Sequence, residues 1–369
     1  MQKVSVIMPV YNGELYIERA IGSLLSQSFQ DWELIVVDDG STDATPQILQ
    51  RYTDTRIRIF SQKNRGEAGA RNTGLANMAG EYMAFLDADD EYLPGALDSL
   101  VSYLDNHLQY TVVFSDGYIC NHQDKQLMRL TEVRPGIYTG NILDQLVLSP
   151  SVITVPVCTL TRASKVRENN LHFDEENNLI GTDWDFWIQL AVHAKFGYLD
   201  RLTCKYRIHT ANITRTTGSE KRRKDQIYCR MKILNSKWFY DLSPNTRELF
   251  FFDLLTVLLS GDMERQNVIL HSNQFASISS SKQADFWRRV GIDALQSGCS
   301  SDQVRYYFLE SRKLNPGDPK TWVLLKGLKV GRPIVLTFLN IWHWLLMIRK
   351  KITGRSGSGR LQRLLLGAS

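Results

Sequence analysis

The sequence predicts an α/β protein in which a mostly parallel sheet, flanked by helices, fills the first half of the chain and is followed by a helical second half. Three observations support this prediction. Short apolar runs alternate with amphipathic segments through the first 120 residues, which is the pattern of β–α–β units. The apolar runs are continuous, as in strands that are covered on both faces. From Tyr228 onward, helical periodicity dominates.

The predicted strands and helices follow one another in regular order. Residues 4–8 form a short apolar strand, and residues 14–27 carry apolar side chains every three or four positions, as an amphipathic helix does. The same two patterns predict strands at 33–37, 56–60, 82–86, 111–115 and 205–208, and helices at 42–52, 67–78, 93–104 and 182–194. Residues 121–180 are less regular, and we assign no element to them.

The second half contains one further pattern. Residues 286–325 resemble a helix–turn–helix pair in which Pro316 and Pro319 mark the turn, as in a tetratricopeptide-like unit, but a single copy does not establish a repeat array. We place the domain boundary in the polar, charged segment 214–225. The sequence therefore predicts a first domain over residues 1–220, a helical domain over 221–330 and an apolar, basic C-terminal segment over 331–369.

The charge of the chain divides at the same boundary. The 369 residues carry 44 Lys+Arg and 39 Asp+Glu, a formal net charge of +5. Residues 1–220 hold 19 basic and 28 acidic side chains (−9), whereas residues 221–369 hold 25 and 11 (+14). The apolar fraction of 43% excludes a disordered chain. We expect the two halves to have different tasks, one of them facing an anionic partner.

Cysteine spacing and the N-terminal sequence predict a cytoplasmic location. The five cysteines lie far apart without CxxC spacing, which excludes a disulfide framework or a zinc site and favours a reducing compartment. The chain starts with a strand pattern instead of a signal peptide, and it has no run of 18 apolar residues for a transmembrane helix.

The C-terminal segment combines an apolar stretch with basic residues. Residues 334–348 contain Trp342 and Trp344 and are followed by Arg349, Lys350 and Lys351. As a helix this stretch would be about 22 Å long, short of a bilayer core of about 30 Å. It predicts a helix in the interface of an anionic membrane, at the inner face of the cytoplasmic membrane. The alternative is a packed terminal helix with a solvated tail. Nucleic acid is disfavoured because the charge is diffuse and no reader motif is present.

Polar side chains follow three of the predicted strands. They lie in the segments 9–13 (PVYNG), 38–43 (DDGSTD) and 87–90 (DADD). In a parallel α/β sheet, ligands bind at the carboxyl ends of the strands. Asp87 and Asp89 are expected on one side of an extended segment, where they repel each other unless a cation such as Mg²⁺ or Mn²⁺ lies between them. The alternative is an acidic cap on the next helix, in which Asp89 or Asp90 would serve as both cap and ligand.

Two further segments have a structural and a functional interpretation. The segment 38–43 is either a strand-to-helix turn capped by Ser41 or Thr42, or a site where a carboxylate bonds a nucleobase or a ribose. The segment 64–72 (NRGEAGARN) places glycines and basic groups at a helix start, which suits a phosphate. Its alternative is a solvated helix face.

Together these segments resemble the family 2 glycosyltransferases, which have the GT-A fold. The motifs PVYN, DDGSTD, NRGEAGARNTG and GEYMAFLDADD carry the resemblance, which covers about residues 3–215. A Rossmann dehydrogenase would have a GxGxxG motif after the first strand, and this sequence has none. A nucleotidyltransferase would have a Gly-rich loop with a basic residue at the same place, and PVYNGE is not such a loop. The resemblance implies an inverting transfer of a sugar from a nucleotide-diphosphate sugar, most often a UDP-sugar, to a hydroxyl of a glycan or lipid-linked acceptor in polysaccharide biosynthesis.

The resemblance also implies a role for individual residues. Asp39 would bond the base, Arg71 would lie near the diphosphate, and Asp87 near the ribose or a metal-bound water. Asp89 would bind Mn²⁺ or Mg²⁺, and His209, in the segment YRIH, would reach the metal or the diphosphate. The residues implied to bind the nucleotide sugar are Pro9, Tyr11, Asn12, Asp39, Gly66, Arg71, Asp87 and Ala88.

The catalytic base implied by the resemblance is Asp183. It matches the aspartate of the family pattern E-D-x-x-(F/L/W)-x-x-R, although Thr182 replaces the usual Glu and Gln189 the usual Arg. Asp183 would remove the acceptor proton as the hydroxyl oxygen attacks C1. The alternative role is a helix cap, in which case Asp185 is the second candidate base. The two replacements leave a second hypothesis open, a catalytically inactive scaffold that binds nucleotide sugars.

The tryptophans of the same helix have two possible positions. Trp184 and Trp187 would either stack on a sugar ring or pack in the core. Helical spacing favours the core for Trp187.

Overall fold

The computed structural model describes residues 2–176, 181–210, 212, 216–337 and 339. The chain divides into two compact units, Met1–Gly218 and Ser219–Ser369. In the first unit, the described residues form one mixed sheet flanked by helices. Its strands are β1 (Val4–Val10), β2 (Trp32–Asp38), β3 (Ile57–Ser61), β4 (Tyr82–Phe85), β5 (Glu91–Tyr92), β6 (Val112–Asn121), β7 (Gln126–Arg129), β8 (Thr159–Arg162) and β9 (Phe196–Ile208). Its helices are α1 (Ile17–Leu25), α2 (Thr45–Leu49), α3 (Gly66–Asn77), α4 (Ala96–Asn106), α5 (Leu143–Leu148), α6 (Ala163–Glu168) and α7 (Thr182–Ala191).

The sheet order brings the motif-bearing loops to one edge. The strands run β3-β2-β1-β4-β8-β6-β9-β5, and β7 pairs with β6. β1 is parallel to both β2 and β4, so the carboxyl ends of these three strands lie side by side. Val10 of β1 is aligned with Asp38 of β2, and Leu86 N donates to Ile7 O just beyond the end of β4. The predicted fold class is confirmed, with a sheet that is parallel at one side and mixed at the other.

Several elements differ from the prediction. The strand predicted at 205–208 is only the end of the 13-residue β9, and the strand predicted at 111–115 is the start of the ten-residue β6. Strands β5, β7 and β8 were not predicted because two to four residues are too few to show a period; pairing with neighbouring strands holds them in place. Helix α2 has five residues, since the Asp43 carboxylate accepts bonds from Glu14 N and Thr45 N and keeps the preceding turn out of the helix.

A glycine allows helix α3 to lie close to the sheet. A Cβ atom on Gly74 would be 2.3 Å from Cγ2 of Ile7 in β1. No side chain larger than hydrogen fits between this helix and this strand without movement of one of them. The helix packs against β1 and β2, and its start lies beside the end of β2, where Arg65 N donates to Asp39 Oδ1.

Every described element of the second unit is helical. Its core includes phenylalanine rings in edge-to-face contact, such as Phe239 with Phe250 and Phe251 with Phe275. The helices are α8 (Ser219–Leu234), α9 (Pro244–Phe251), α10 (Met263–Leu270), α11 (Asn273–Ala276), α12 (Ser280–Gln296), α13 (Ser301–Leu314) and α14 (Pro319–Val330), and a π-helical stretch, Phe252–Leu258, follows α9.

The segment predicted as one helix pair contains three helices. The prediction placed a single turn near Pro316 and Pro319, and Pro319 does begin α14. A second turn separates α12 from α13, where Ser300 caps α13 by accepting a bond from Gln303 N while the Gln303 side chain bonds Ser300 N. This turn was not predicted because it is only four residues long (297–300), too short to break the helical spacing of apolar residues.

The predicted membrane segment lies mainly outside the described residues. Of residues 331–369, the structure describes 331–337 and 339. No helix within the described part of the chain is long and apolar enough to cross a membrane.

Candidate active site

The loops that follow β1 and β2 are tied together by hydrogen bonds. Asn12 N donates to Ser41 Oγ at 2.9 Å, and Asn12 Oδ1 accepts from Thr42 N at 2.8 Å. Asn12 has a φ of +55°, a left-handed conformation that asparagine tolerates better than most residues. The neighbouring Tyr11 is left half exposed at the rim, while Pro9 is buried within β1. The hydrogen bonds of Asn12 thus hold the two loops together.

Asp39 connects the end of β2 to the start of α3. Its carboxylate is buried, and Oδ1 accepts bonds from Gln62 Nε2 at 2.7 Å and from Arg65 N at 2.9 Å. Gly66 then opens α3 with a φ of +76°, which explains the glycine at this position. Two residues implied by the family resemblance, Asp39 and Gly66, therefore share one junction at the carboxyl edge of the sheet.

A buried cation lies at this edge. Arg71 is 2% exposed, and its Nη2 donates to Asp87 Oδ1 at 3.0 Å and pairs with Glu67 Oε1 at 2.5 Å. The guanidinium lies over the rings of Phe85 and Phe173, 5.6 and 5.3 Å from their centroids. Its Nε is buried and has no hydrogen-bond partner among the described residues. The structure thus holds a fixed positive charge with one free donor beside the carboxylate motif.

The carboxylates around Arg71 share a strong negative field. Burial, together with the charges of Asp87, Asp183 and Asp89, raises the pKa of Glu67 to about 7, although the charge of Arg71 opposes this rise. Burial, together with the charge of Asp89, also raises the pKa of Asp87. These carboxylates repel one another, and a cation or a transition state that carries positive charge is stabilised beside them. Sequence analysis overlooked Glu67, although its spacing four residues before Arg71 on α3 was a usable signal.

We expect the Glu67→Gln variant to become more stable relative to the wild type as pH rises from about 4.5 to 7. The folded state holds the Glu67 proton more tightly than the unfolded chain, so the wild type loses stability across this window and the variant does not. The expected change is about 1 kcal/mol, because 36% of the side chain is exposed and water screens its charge. Urea unfolding at pH 4.5 and pH 8 measures it. A difference between variant and wild type that is the same at both pH values would contradict the expectation.

The two carboxylates of the DADD segment have different partners. Whereas Asp87 pairs with Arg71, Asp89 Oδ2 accepts from Asn212 Nδ2 at 3.0 Å and lies 2.9 Å from His209 Nε2. The predicted metal ligands Asp89 and His209 are therefore adjacent. Ala88 lies between the carboxylates and faces Gly13 of the first loop.

The helix-cap interpretation of this motif is wrong. Helix α4 begins at Ala96, and the residue before it is Gly95, so neither Asp89 nor Asp90 lies at its first turn. Asp90 is buried instead, with Oδ1 accepting from Arg207 N at 2.9 Å and Oδ2 unpartnered among the described residues. Burial raises the pKa of Asp90 well above its usual value. Asp90 thus points into the protein, and Asp89 is the residue of this pair that remains part exposed.

Arg207 contacts the backbone of the DADD segment, and its role was not predicted from the sequence. It is 1% exposed, donates from Nε to Asp89 O at 3.1 Å and from Nη1 to Asp124 Oδ1 at 2.6 Å, and also pairs with Glu91. Its guanidinium lies 5.2 Å from the ring of Tyr16, which in turn lies 4.9 Å from the ring of His209. Arg207 therefore contacts the backbone of one candidate metal ligand and the aromatic neighbour of the other.

Asp183 lies in the first turn of α7, as the pattern predicted. Gly181, with a φ of +85°, precedes the helix, and Asp183 Oδ1 accepts from Trp184 N at 2.9 Å. Its charge acts on Glu67, Arg71 and Asp87, so Asp183 shares the electrostatic field of the site.

Aromatic packing holds α7 in this position. Phe186 of α7 stacks on Phe173 with centroids 4.4 Å apart and an interplanar angle of 5°, and its edge meets Phe85 of β4. Phe85 and Phe173 are the same rings that pack against Arg71. One aromatic cluster thus sets the positions of α7, β4 and the buried cation relative to one another.

The remaining residues of α7 serve the core. Asp185 is buried and accepts from Gln189 Nε2 at 2.8 Å, which removes it as a second candidate base. Trp184 is buried and donates from Nε1 to Leu146 O at 2.6 Å, so of its two alternatives this side chain takes the core and not the contact with a sugar ring. Trp187 packs against Phe85 in the core, as predicted. The unusual Gln189 thus has a defined partner on its own helix.

Comparison with known proteins identifies the family of this domain. A family model described as glycosyl transferase family 2 matches residues 5–169. The domain belongs to glycosyltransferase family 2. An uncharacterized glycosyltransferase of Rickettsia felis is 29% identical over 282 residues, which are 74% of this chain and 44% of the relative. This chain therefore spans less than half of that relative's length.

Two solved glycosyltransferase structures share the fold. S. aureus TarS 1–349 in complex with UDP-GlcNAc superposes with a TM-score of 0.55 at 20% identity, over 85% of this chain and 89% of that one. The mannosyltransferase PcManGT of Pyrobaculum calidifontis, in complex with GDP-Man and Mn²⁺, gives a TM-score of 0.50 at 16% identity, over 93% and 88%. The family and the GT-A fold that the motifs predicted are confirmed.

Proposed function

We propose that this protein is an inverting glycosyltransferase that moves a sugar from a nucleotide-diphosphate sugar, with uridine as the expected base, to a hydroxyl of a glycan or lipid-linked acceptor in polysaccharide biosynthesis. The observation that carries the proposal is the convergence of Arg71, Asp87, Asp89 and Asp183 at the carboxyl edge of a family 2 domain. The UDP-GlcNAc complex of TarS supports a uridine nucleotide.

In this proposal the donor lies across the ends of β1, β2 and β4. Tyr11 and Asp39 flank the base, and we assign the diphosphate to the side of Arg71, whose buried Nε has no partner among the described residues and whose guanidinium is a strong partner for phosphate. Asp87, paired with Arg71, contacts the ribose or a metal-bound water. An anionic leaving group is compatible with this acidic edge only if cations balance it, and Arg71 alone does not outweigh its carboxylate neighbours.

The residues present fit a divalent cation. Within the described part of the chain, no group of three or more His, Cys, Asp or Glu side chains is arranged to hold a metal. Asp89 and His209 offer two ligands, and Mg²⁺ or Mn²⁺ commonly binds few protein ligands together with substrate phosphates and water. Such an ion supplies charge that stabilises the leaving diphosphate. The Mn²⁺ complex of PcManGT supports this choice.

In this proposal Asp183 is the catalytic base. It accepts the proton of the acceptor hydroxyl as the oxygen forms a bond to C1, and the bond from C1 to the diphosphate oxygen breaks on the opposite face. The nucleoside diphosphate leaves, and the sugar configuration at C1 inverts. The electrostatic contact of Asp183 with Arg71 and Asp87 supports this geometry.

Titration calorimetry with UDP tests the donor site. We expect UDP binding to tighten at least about tenfold, or about 1.4 kcal/mol, when Mn²⁺ is added, because Asp89 and His209 would hold an ion whose charge attracts the diphosphate. Adding Ca²⁺, which prefers longer bonds and more ligands, is the control. Nucleotide binding that is absent, or that Mn²⁺ leaves unchanged, would contradict the proposed function.

We also propose that the enzyme works in the cytoplasm, in peripheral contact with the anionic inner face of the membrane. The apolar and basic sequence of residues 331–369 and the absence of paired cysteines among the described residues support this location. A lipid-linked acceptor would be found there.

A further inference from the structure

We infer that the exposed face of helix α14 is a docking surface for an anionic lipid bilayer. The inference rests on the membrane contact proposed above for residues 331–369 and names a surface outside them. The face consists of residues that all lie on one side of the helix and are all exposed, namely Pro319, Trp322, Val323, Lys326, Lys329 and Val330.

The opposite side of α14 is anchored in the unit. Thr321 and Leu324 are buried, and Thr321 Oγ1 lies 3.1 Å from Ser311 Oγ of α13. Asp318 caps α14 by accepting from Thr321 N, and it also accepts from Arg288 Nη1 at 2.6 Å. The helix therefore presents a fixed surface whose orientation is set by α12 and α13.

Apolar and aromatic side chains occupy this surface. Trp322 is 45% exposed and Val330 is 71% exposed, and Lys326 Nζ lies 4.0 Å from the centre of the Trp322 ring. Tryptophan beside lysine is the pair that suits the boundary between lipid headgroups and acyl chains, where one end of each side chain is apolar and the other is polar. Exposing such side chains to water has a cost that burial in an interface removes.

The positive charge of residues 319–369 indicates that the partner of the α14 face is an anionic bilayer. After Asp318 the sequence contains no acidic residue: residues 319–369 hold ten Lys+Arg and no Asp or Glu. This segment therefore carries +10 of the +14 charge of residues 221–369. On the face itself, Lys326 and Lys329 form no ion pair with a described residue. A basic, aromatic surface followed by further basic and apolar sequence matches an extended anionic sheet of lipid.

Vesicle co-sedimentation of the full chain tests the inference. We expect binding to phosphatidylcholine vesicles that contain 30% phosphatidylglycerol, and loss of that binding with pure phosphatidylcholine. The double variant Lys326→Gln, Lys329→Gln is expected to weaken partitioning about 25-fold, since each lysine near an anionic surface contributes about fivefold. Trp322→Ala is expected to weaken it several-fold through lost apolar contact.

Matched controls lie elsewhere in the second unit. Lys224 and Lys282 are exposed on other helices, and Tyr240 is an exposed aromatic residue. The double variant Lys224→Gln, Lys282→Gln and the variant Tyr240→Ala are expected to change partitioning less than about twofold. Because all substituted side chains are exposed, the thermal midpoints should match that of the wild type.

The outcomes separate this inference from the proposals on which it rests. If deletion of residues 331–369 abolishes vesicle binding while the α14 variants bind like the wild type, the inference is wrong and the membrane contact stands. If the wild type does not bind anionic vesicles, both are wrong, and UDP titration of the same sample still reports on the donor site. If light scattering shows that Trp322→Ala instead dissociates a dimer, the face is a protein interface and the inference is overturned.

Discussion

The Asp183→Asn variant is expected to transfer sugar about 10²- to 10⁴-fold more slowly than the wild type, the usual contribution of a positioned general base. Asparagine has nearly the same shape but cannot take the acceptor proton at neutral pH. Its Oδ1 can still accept the bond from Trp184 N, so the first turn of α7 should persist. Donor affinity, measured by UDP titration, is expected to stay within about twofold, which makes the loss one of kcat.

A matched control separates this effect from a general loss of charge at a helix start. Asp98 is an exposed aspartate in the first turn of α4, and Asp98→Asn is expected to keep wild-type kcat. If Asp183→Asn retains more than about a tenth of wild-type activity, Asp183 is not the base. If its activity and its UDP affinity fall together, Asp183 acts on the donor instead.

The second large effect is expected from Asp89. In the Asp89→Ala variant, UDP affinity in the presence of Mn²⁺ should fall about 10- to 100-fold, because one of the two proposed protein ligands is lost. In EDTA the variant and the wild type should bind UDP equally. Asn212→Ala, which removes one of the two partners of Asp89 Oδ2 and leaves the carboxylate itself in place, should cost less than Asp89→Ala.

The metal dependence is the measurement that decides this prediction. Titration of each variant with UDP across a Mn²⁺ series gives the coupling between ion and nucleotide, which should disappear in Asp89→Ala and persist in Asp98→Asn. An Asp89→Ala variant whose UDP affinity still rises with Mn²⁺ would show that the ion is held by other residues.

The strand-end motifs were predictable from the sequence because their signals are local. Asp39, Asp87 and Asp89 directly follow continuous apolar runs, and the carboxyl ends of parallel strands meet at one edge. Asp183 was recognisable because helical periodicity begins at Thr182. The helix start, together with the family pattern, was enough to nominate one carboxylate.

The support of the site was not predictable, because it depends on contacts between distant residues. Arg207 bonds Asp89, 118 residues away, and Asp124, 83 residues away. These contacts require the pairing of β9 with the two-residue β5, which has no sequence signature of its own. Periodicity reports which side chains share a face, but not which distant element covers that face.

Two ambiguous motifs were resolved only by the structure. The alternative role of the acidic residues in the DADD segment was to cap the next helix. Helix α4 begins only at Ala96, several residues later, and this excludes the helix-cap role. Trp184 had both a sugar contact and the core as options. Its partner, Leu146 O, lies on the six-residue α5, in a region where the sequence shows no regular pattern.

The proposed mechanism is an inverting transfer that depends on Asp183, Asp87 and Asp89. Proton NMR of donor turnover tests it most directly, once a panel of nucleotide sugars has identified a donor that the enzyme hydrolyses. For an α-linked donor, inversion at C1 means that the first sugar released is the β-anomer, before mutarotation mixes the two forms, and Asp183→Asn is expected to abolish its appearance. Release of the α-anomer first, or an unchanged rate in the variant, would contradict an inverting transfer with Asp183 as the base.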